Sequence, residues 1–199
     1  MVQIWEVHVP NDEKKMFCGI AGKCQANGNV LGKMFPYDGY VSSYVDFHFG
    51  QSTTSHYGDC CEFIRTDILK QYRFPEHKET KFVPEYYVFD QIGCDYRLYC
   101  TNDVIKVVEY MEDGITKNPS YYTKNAIGVL YGCVIRIDVV FNKTKVGLKQ
   151  KFGVWLEYWT LRDITKLIPS APKVAHMSIL GAIAKFYYCL HKVKEFILK

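Results

Sequence analysis

A chain of 199 residues, 48% hydrophobic and 16% aromatic, can bury enough apolar surface for an ordinary folded domain, which excludes an intrinsically disordered chain. The net charge of +4 is mild but unevenly spread: residues 1–142 hold 14 basic and 18 acidic side chains, residues 143–199 hold 11 and 3. A basic tail behind an acidic body fits an anionic partner; of the two physical options, a membrane surface is preferred to nucleic acid because no nucleic-acid-binding module is present.

Residues 1–15 mix apolar and charged positions around the turn signal Pro10-Asn11-Asp12. No basic region followed by an apolar run opens the chain, so no signal peptide is read there and a cytoplasmic location is expected. The eight cysteines include no C-x-x-C pair, which disfavours a zinc framework and fits buried thiols of a reducing compartment. Met16–Cys24 reads as a strand and Val30–Phe35 as a second, joined at Ala26-Asn27-Gly28-Asn29 by a hairpin whose central residues must accept positive φ. Tyr40–Phe49 reads equally well as helix or strand.

The next stretch is dense: an apolar strand around Cys60–Ile64, a brief helix, the Phe74-Pro75 corner, and Glu79 and Glu85 ahead of a helix over Glu85–Ile92 that Gly93 stops. Tyr96–Cys100 and Val104–Tyr110 read as two further strands linked by Thr101-Asn102-Asp103, and Glu112-Asp113-Gly114 as a turn. Three helical segments follow, Ser120–Phe141, Val146–Ile168 and Val174–Leu198. Their longest uncharged runs, between Lys124 and Arg136 and between Lys173 and Lys185, fall short of the roughly 20 residues of a membrane span.

Several pieces of this sequence, in one order, carry a resemblance. Gly58-Asp59, Arg65-Thr66-Asp67-Ile68-Leu69, Phe74-Pro75, Lys81-Phe82-Val83-Pro84-Glu85 and Glu109-Tyr110-Met111-Glu112-Asp113-Gly114-Ile115-Thr116 together resemble the C-terminal half of a bacterial family 2 glycosyltransferase. The resemblance covers roughly residues 16–120 and implies an α/β fold: a truncated nucleotide-diphospho-sugar transferase-like mixed sheet followed by C-terminal helices. It divides the chain into the C-terminal portion of a catalytic domain, 1–119, and a helical region, 120–199. The implied activity is transfer of a sugar from a nucleotide-sugar donor to a surface-polysaccharide or other glycan acceptor, in the cytoplasm or at the inner face of the cell membrane. The family's donor-binding half holds a divalent metal, Mg or Mn, through an Asp-x-Asp element. No Asp-x-Asp occurs here, and the resemblance starts just after that element's place, so a split, truncated or fragmentary chain with a complementing N-terminal half is expected.

Glycosyl transfer to an alcohol requires a base within reach of the acceptor hydroxyl, a task suited to a carboxylate. The resemblance puts Glu85 in that role, with Glu79 behind it and Asp90 weaker; Pro84 presets a helix start at which a carboxylate is favoured. The alternative for Glu85 is a helix-terminal charge with no catalytic task. Asp59, Arg65 and Asp113 are the substrate-binding candidates. Asp59 and Asp113 could equally be turn residues, and Arg65 could pair with Glu62 or Asp67 instead of a phosphate. The histidines show no ligand spacing. The second reading is a peripheral membrane or interaction module built on the basic tail, with Phe186, Tyr187, Phe196 and Ile197 as its apolar contacts.

Overall fold

The computed structural model describes residues 2–50, 58–109 and 120–197, and the chain forms two compact units, one of residues 1–73 and 88–117, the other of residues 74–87 and 118–199. The fold is mixed α/β, a mixed sheet in the first unit and helices in the second.

The first unit is built on β1 (Phe17–Ala26), a run of apolar and small residues buried on both faces. Helix α1 (Val2–His8) precedes it. Asn27 and Gly28 take φ of 50° and 78°, the left-handed pair of a two-residue hairpin, and return the chain to β2 (Asn29–Val30), with Gln25 opposite Val30. Of the expected strand over Val30–Phe35 only Val30 is in β2. Gly32, at φ 70°, turns the chain away, and a side chain then replaces the ladder: Phe35 N–H donates to Asn102 Oδ1 at 2.7 Å while Asn102 Nδ2 donates to the Phe35 carbonyl at 3.2 Å. Buried Lys23 adds a third tie, its Nζ donating to the Lys33 carbonyl at 2.8 Å above the Phe35 ring.

Tyr40–Phe49 is both things its pattern allowed. β3 (Tyr40–Ser42) gives way to α2 (Tyr44–Phe49) at Ser43, whose hydroxyl accepts the Asp46 N–H as an N-cap. β4 (Cys60–Ile64) runs antiparallel to β1, and α3 (Thr66–Leu69) follows it. Helix α4 (Tyr86–Asp95) leads into β5 (Arg97–Val107), parallel to β1 and antiparallel to β3. Gly93 does not stop α4. A Cβ there would stand 2.9 Å from the Tyr44 Cβ and the Val45 amide, so the glycine admits α2 against the helix.

The two strands expected over 96–110 are one. Cys100 pairs with Ala21 and Val104 with Lys23, so residues 101–103 stand opposite a single residue and form a bulge. That bulge frees Asn102 for its two hydrogen bonds to the Phe35 backbone. Asn102→Ala should therefore cost roughly 2 kcal/mol by leaving two backbone groups without their partner, measured as a lower chemical-denaturation midpoint. Unchanged stability would show that water replaces the side chain.

The second unit holds the 74–87 segment, α5 (Tyr121–Lys124), α6 (Ala126–Ile135), α7 (Phe141–Lys143), α8 (Leu148–Ile164) and α9 (Ile179–Ile197). A π-helical stretch, Arg136–Val140, carries α6 into α7. Helix α6 is buried almost all round, packing on α8, and α9 lies against α8 through Gly181, whose absent Cβ would meet the Trp155 ring at 2.8 Å. Helix α9 starts five residues later than its apolar pattern suggested. Ser178 supplies the cap, its Oγ accepting the Gly181 N–H at 3.0 Å, while the Ala175 N–H is held by Asp138 at 2.9 Å. Among the described residues no helix is long and apolar enough to cross a membrane.

Candidate functional site

The 74–87 segment forms an irregular loop fixed by three local devices. Thr80 folds it back, its Oγ1 donating to the Phe82 carbonyl at 2.8 Å. Gly128 of α6 provides the seat: a Cβ there would lie 1.8 Å from the Phe82 carbonyl oxygen, so the helix and the loop backbone touch. One turn on, Gly132 makes room for the Tyr86 ring, and the Arg136 guanidinium lies 3.7 Å from that ring's centre. Burial pushes the Tyr86 phenol up from its ordinary value, with the Arg136 charge opposing, so the ring is held as a neutral phenol.

A cavity of about 470 Å³ opens beside this loop, walled by Phe74, Glu76, His77, Lys81 and Phe82 among others. His77 is locked on both ring nitrogens. Its Nδ1 lies 3.1 Å from the Glu79 N–H, which donates to it, and its Nε2 lies 3.0 Å from Ser170 Oγ. A nitrogen that accepts an N–H carries no proton, so in the neutral ring the proton sits on Nε2 and is donated to Ser170. The His77–Ser170 pair is thus oriented the wrong way for activating a serine nucleophile. Its effect is to fix the turn that carries Glu79.

Glu79 and Glu85 share this loop, and both are exposed. Glu85 stands immediately before the first residue of α4, where Tyr87 N–H closes a turn on the Pro84 carbonyl at 3.0 Å. The backbone turn therefore places Glu85 at the N-terminus of α4. Neither acid is among the residues that wall the cavity, which takes its acidic group from Glu76 and its imidazole from His77. Sequence reading passed over both. The signal was there in His77-Lys78-Glu79, a short polar turn directly after the Phe74-Pro75 corner.

The other candidates stand apart from that loop in the chain. Asp59 is exposed at the bend before β4, in the first unit. Arg65 is spent within its own unit. Its Nε and one terminal nitrogen donate to the two carboxylate oxygens of Asp67 at 3.2 and 2.6 Å, and the other donates to the carbonyls of Lys14 and Phe17 at 3.1 and 3.4 Å. Of the roles open to it, pairing with Asp67 is the one observed, and the hydrogen bond holds the Asp67 carboxyl below its ordinary value. Asp90 is wholly buried on α4 and pairs with His48 Nδ1. Asp113 lies outside the described residues.

The expectation of buried thiols holds for half of the eight cysteines; Cys60, Cys61 and Cys94 are half-buried and Cys189 is exposed. Cys18, Cys24, Cys100 and Cys133 are buried, and burial pushes the Cys18 and Cys60 thiols up to about 12. Among the described residues no group of three or more His, Cys, Asp or Glu side chains gathers where an ion could be held. The described residues therefore do not form the donor set for a divalent metal. No model of a protein family, no curated protein and no solved structure matches the chain.

Proposed function

We propose that this chain is the acceptor-side part of a glycosyltransferase resembling bacterial family 2, acting on a nucleotide-sugar donor and a glycan acceptor. In this reading the mixed sheet and the helices belong to a nucleotide-diphospho-sugar transferase fold whose donor-binding part comes from a complementing segment. The observation that supports it is the placement of Glu85: a carboxylate ahead of α4, on a loop seated against α6 at Gly128 and Gly132 and bordering a cavity.

The chemistry asked of this side is limited. Glu85 accepts the proton of an acceptor hydroxyl as that oxygen attacks the anomeric carbon, and the nucleoside diphosphate departs with the bonding pair. Phe74 and Phe82 offer apolar surface in the cavity wall, and Glu76 offers hydrogen bonds for the hydroxyls of a sugar.

The test is titration of the protein with a panel of nucleotide sugars by calorimetry, then a transfer assay with the gene-neighbouring donor half supplied. Glu85→Gln should reduce transfer by roughly 100-fold or more with donor binding unchanged, the scale of a lost general base. Glu79→Gln should change it only a few-fold. Full activity in the Glu85→Gln protein, or no donor binding with any complementing half, would sink the proposal.

A further inference from the structure

Helix α9 has two opposite faces of different character. At 3.6 residues per turn, Gly181, Ala184 and Tyr188 form the stripe turned to α8. Trp159 Nε1 donates to the Gly181 carbonyl at 3.0 Å, and the Tyr188 hydroxyl donates to Asp163 at 3.2 Å. Diametrically opposite run Ile179, Ile183, Phe186 and Leu190, all exposed, with Ile179 and Phe186 at 84% and 66%. A helix that packs by small residues and turns its large apolar ones outward has the inverse of the usual surface arrangement.

The charge of the unit selects what covers that face. Of the three acidic residues in 143–199, Glu157 accepts the Tyr122 hydroxyl and Asp163 holds Lys192 and Tyr188, while Lys149, Lys166, Lys173 and Lys185 are exposed. A second copy docked on the stripe would bring two such positive surfaces together, which is unfavourable. An anionic bilayer offers the opposite sign and an apolar interior at headgroup depth. We propose that the outward face of α9, through Ile179, Ile183, Phe186 and Leu190, lies in the surface of an anionic membrane, to which the net positive charge of residues 143–199 draws it. The helix lies flat in this arrangement, in keeping with the absence of a membrane-crossing helix among the described residues.

This inference does not rest on the transferase reading, and its experiment needs no activity. The whole chain is floated with vesicles of phosphatidylcholine, with or without about one quarter phosphatidylglycerol, a fraction that gives the surface its negative potential. The protein should float with the anionic vesicles, and its partitioning should fall roughly tenfold or more between about 0.05 and 0.5 M salt. Phe186→Glu and Ile183→Glu, at exposed positions, should each weaken binding about tenfold or more with helix content unchanged by circular dichroism. Equal binding to neutral vesicles, binding insensitive to salt, or unchanged binding by both variants would overturn it. So would a dimer of the unaltered chain that Phe186→Glu dissolves while no vesicle binding is seen, which would assign the stripe to self-association.

Discussion

Gly128→Ala should destabilise the protein by about 3 kcal/mol, the upper range for overpacking, while Gly153→Ala in the same unit should stabilise it by roughly 0.5–1 kcal/mol. The two substitutions add one methyl group each, and the structure separates them by what that methyl meets. At Gly128 it would lie 1.8 Å from the Phe82 carbonyl oxygen and 2.9 Å from its carbon. Both are backbone atoms, so relief requires the loop to move rather than a rotamer to turn. At Gly153, within α8, nothing lies inside 4 Å, and the change only removes the entropic disadvantage of glycine in a helix. Denaturant melts of the two variants beside the parent check the pair. Because Gly128 seats the loop of Glu79 and Glu85, the proposed function requires that its variant also lose transfer activity out of proportion to its folded fraction. Equal effects from both glycines would mean that the loop does not rest on α6.

Alkaline pH should destabilise the chain by roughly 3 kcal/mol between about pH 8.5 and 10.5, at 1.36 kcal/mol per pH unit per thiol and about half that after relaxation and for the part-exposed Cys60. The cause is the set of thiols in and beside β1. Burial pushes Cys18 and Cys60 up to about 12 and Cys100 higher, against 9.0 for a free thiol. Above about pH 9 the unfolded chain gives up these protons while the folded chain keeps them. Stability is thus fully present below the unfolded value and declines as pH rises toward the folded one. Denaturant titrations at a series of pH values read the slope directly. A flat dependence through about pH 10.5 would show that the sheet opens to water around the thiols.

The parts of the fold legible in the sequence are those set by local chemistry. Asn27-Gly28 specifies its own turn, and the hairpin is where the residues put it. The short strand and helix around Cys60–Leu69, the helix behind Pro84 and the three helical segments follow from periodicity and punctuation. What escaped depends on partners distant in the chain. Gly93 has the composition of a stop, and only the approach of Tyr44 and Val45 explains why the helix continues through it. Thr101-Asn102-Asp103 looks like a linker because nothing nearby shows that Asn102 bonds Phe35, 67 residues before it. The apolar spacing of α9 marks a helix, and the sequence cannot say that Gly181, Ala184 and Tyr188, not Ile179, Ile183, Phe186 and Leu190, are turned to α8. The candidate site was legible to the same degree. The Phe74-Pro75 corner and the carboxylate before α4 announced themselves, whereas the locking of His77 by Ser170 is a contact across 93 positions.

The chain enters the second unit at Phe74, leaves it after Tyr87 and returns at Asn118. Neither unit is a continuous piece of polypeptide, so no single peptide-bond cleavage can release either one whole. A protease cut near residue 118 would leave Gly128 and Gly132 on one product and the Phe82 carbonyl and Tyr86 ring on the other. The two fragments would then have to find one another again as a noncovalent pair before the loop regained its shape. For a gene, the same arrangement ties the inheritance of the loop to that of the helices: neither can be exchanged by a simple swap of ends.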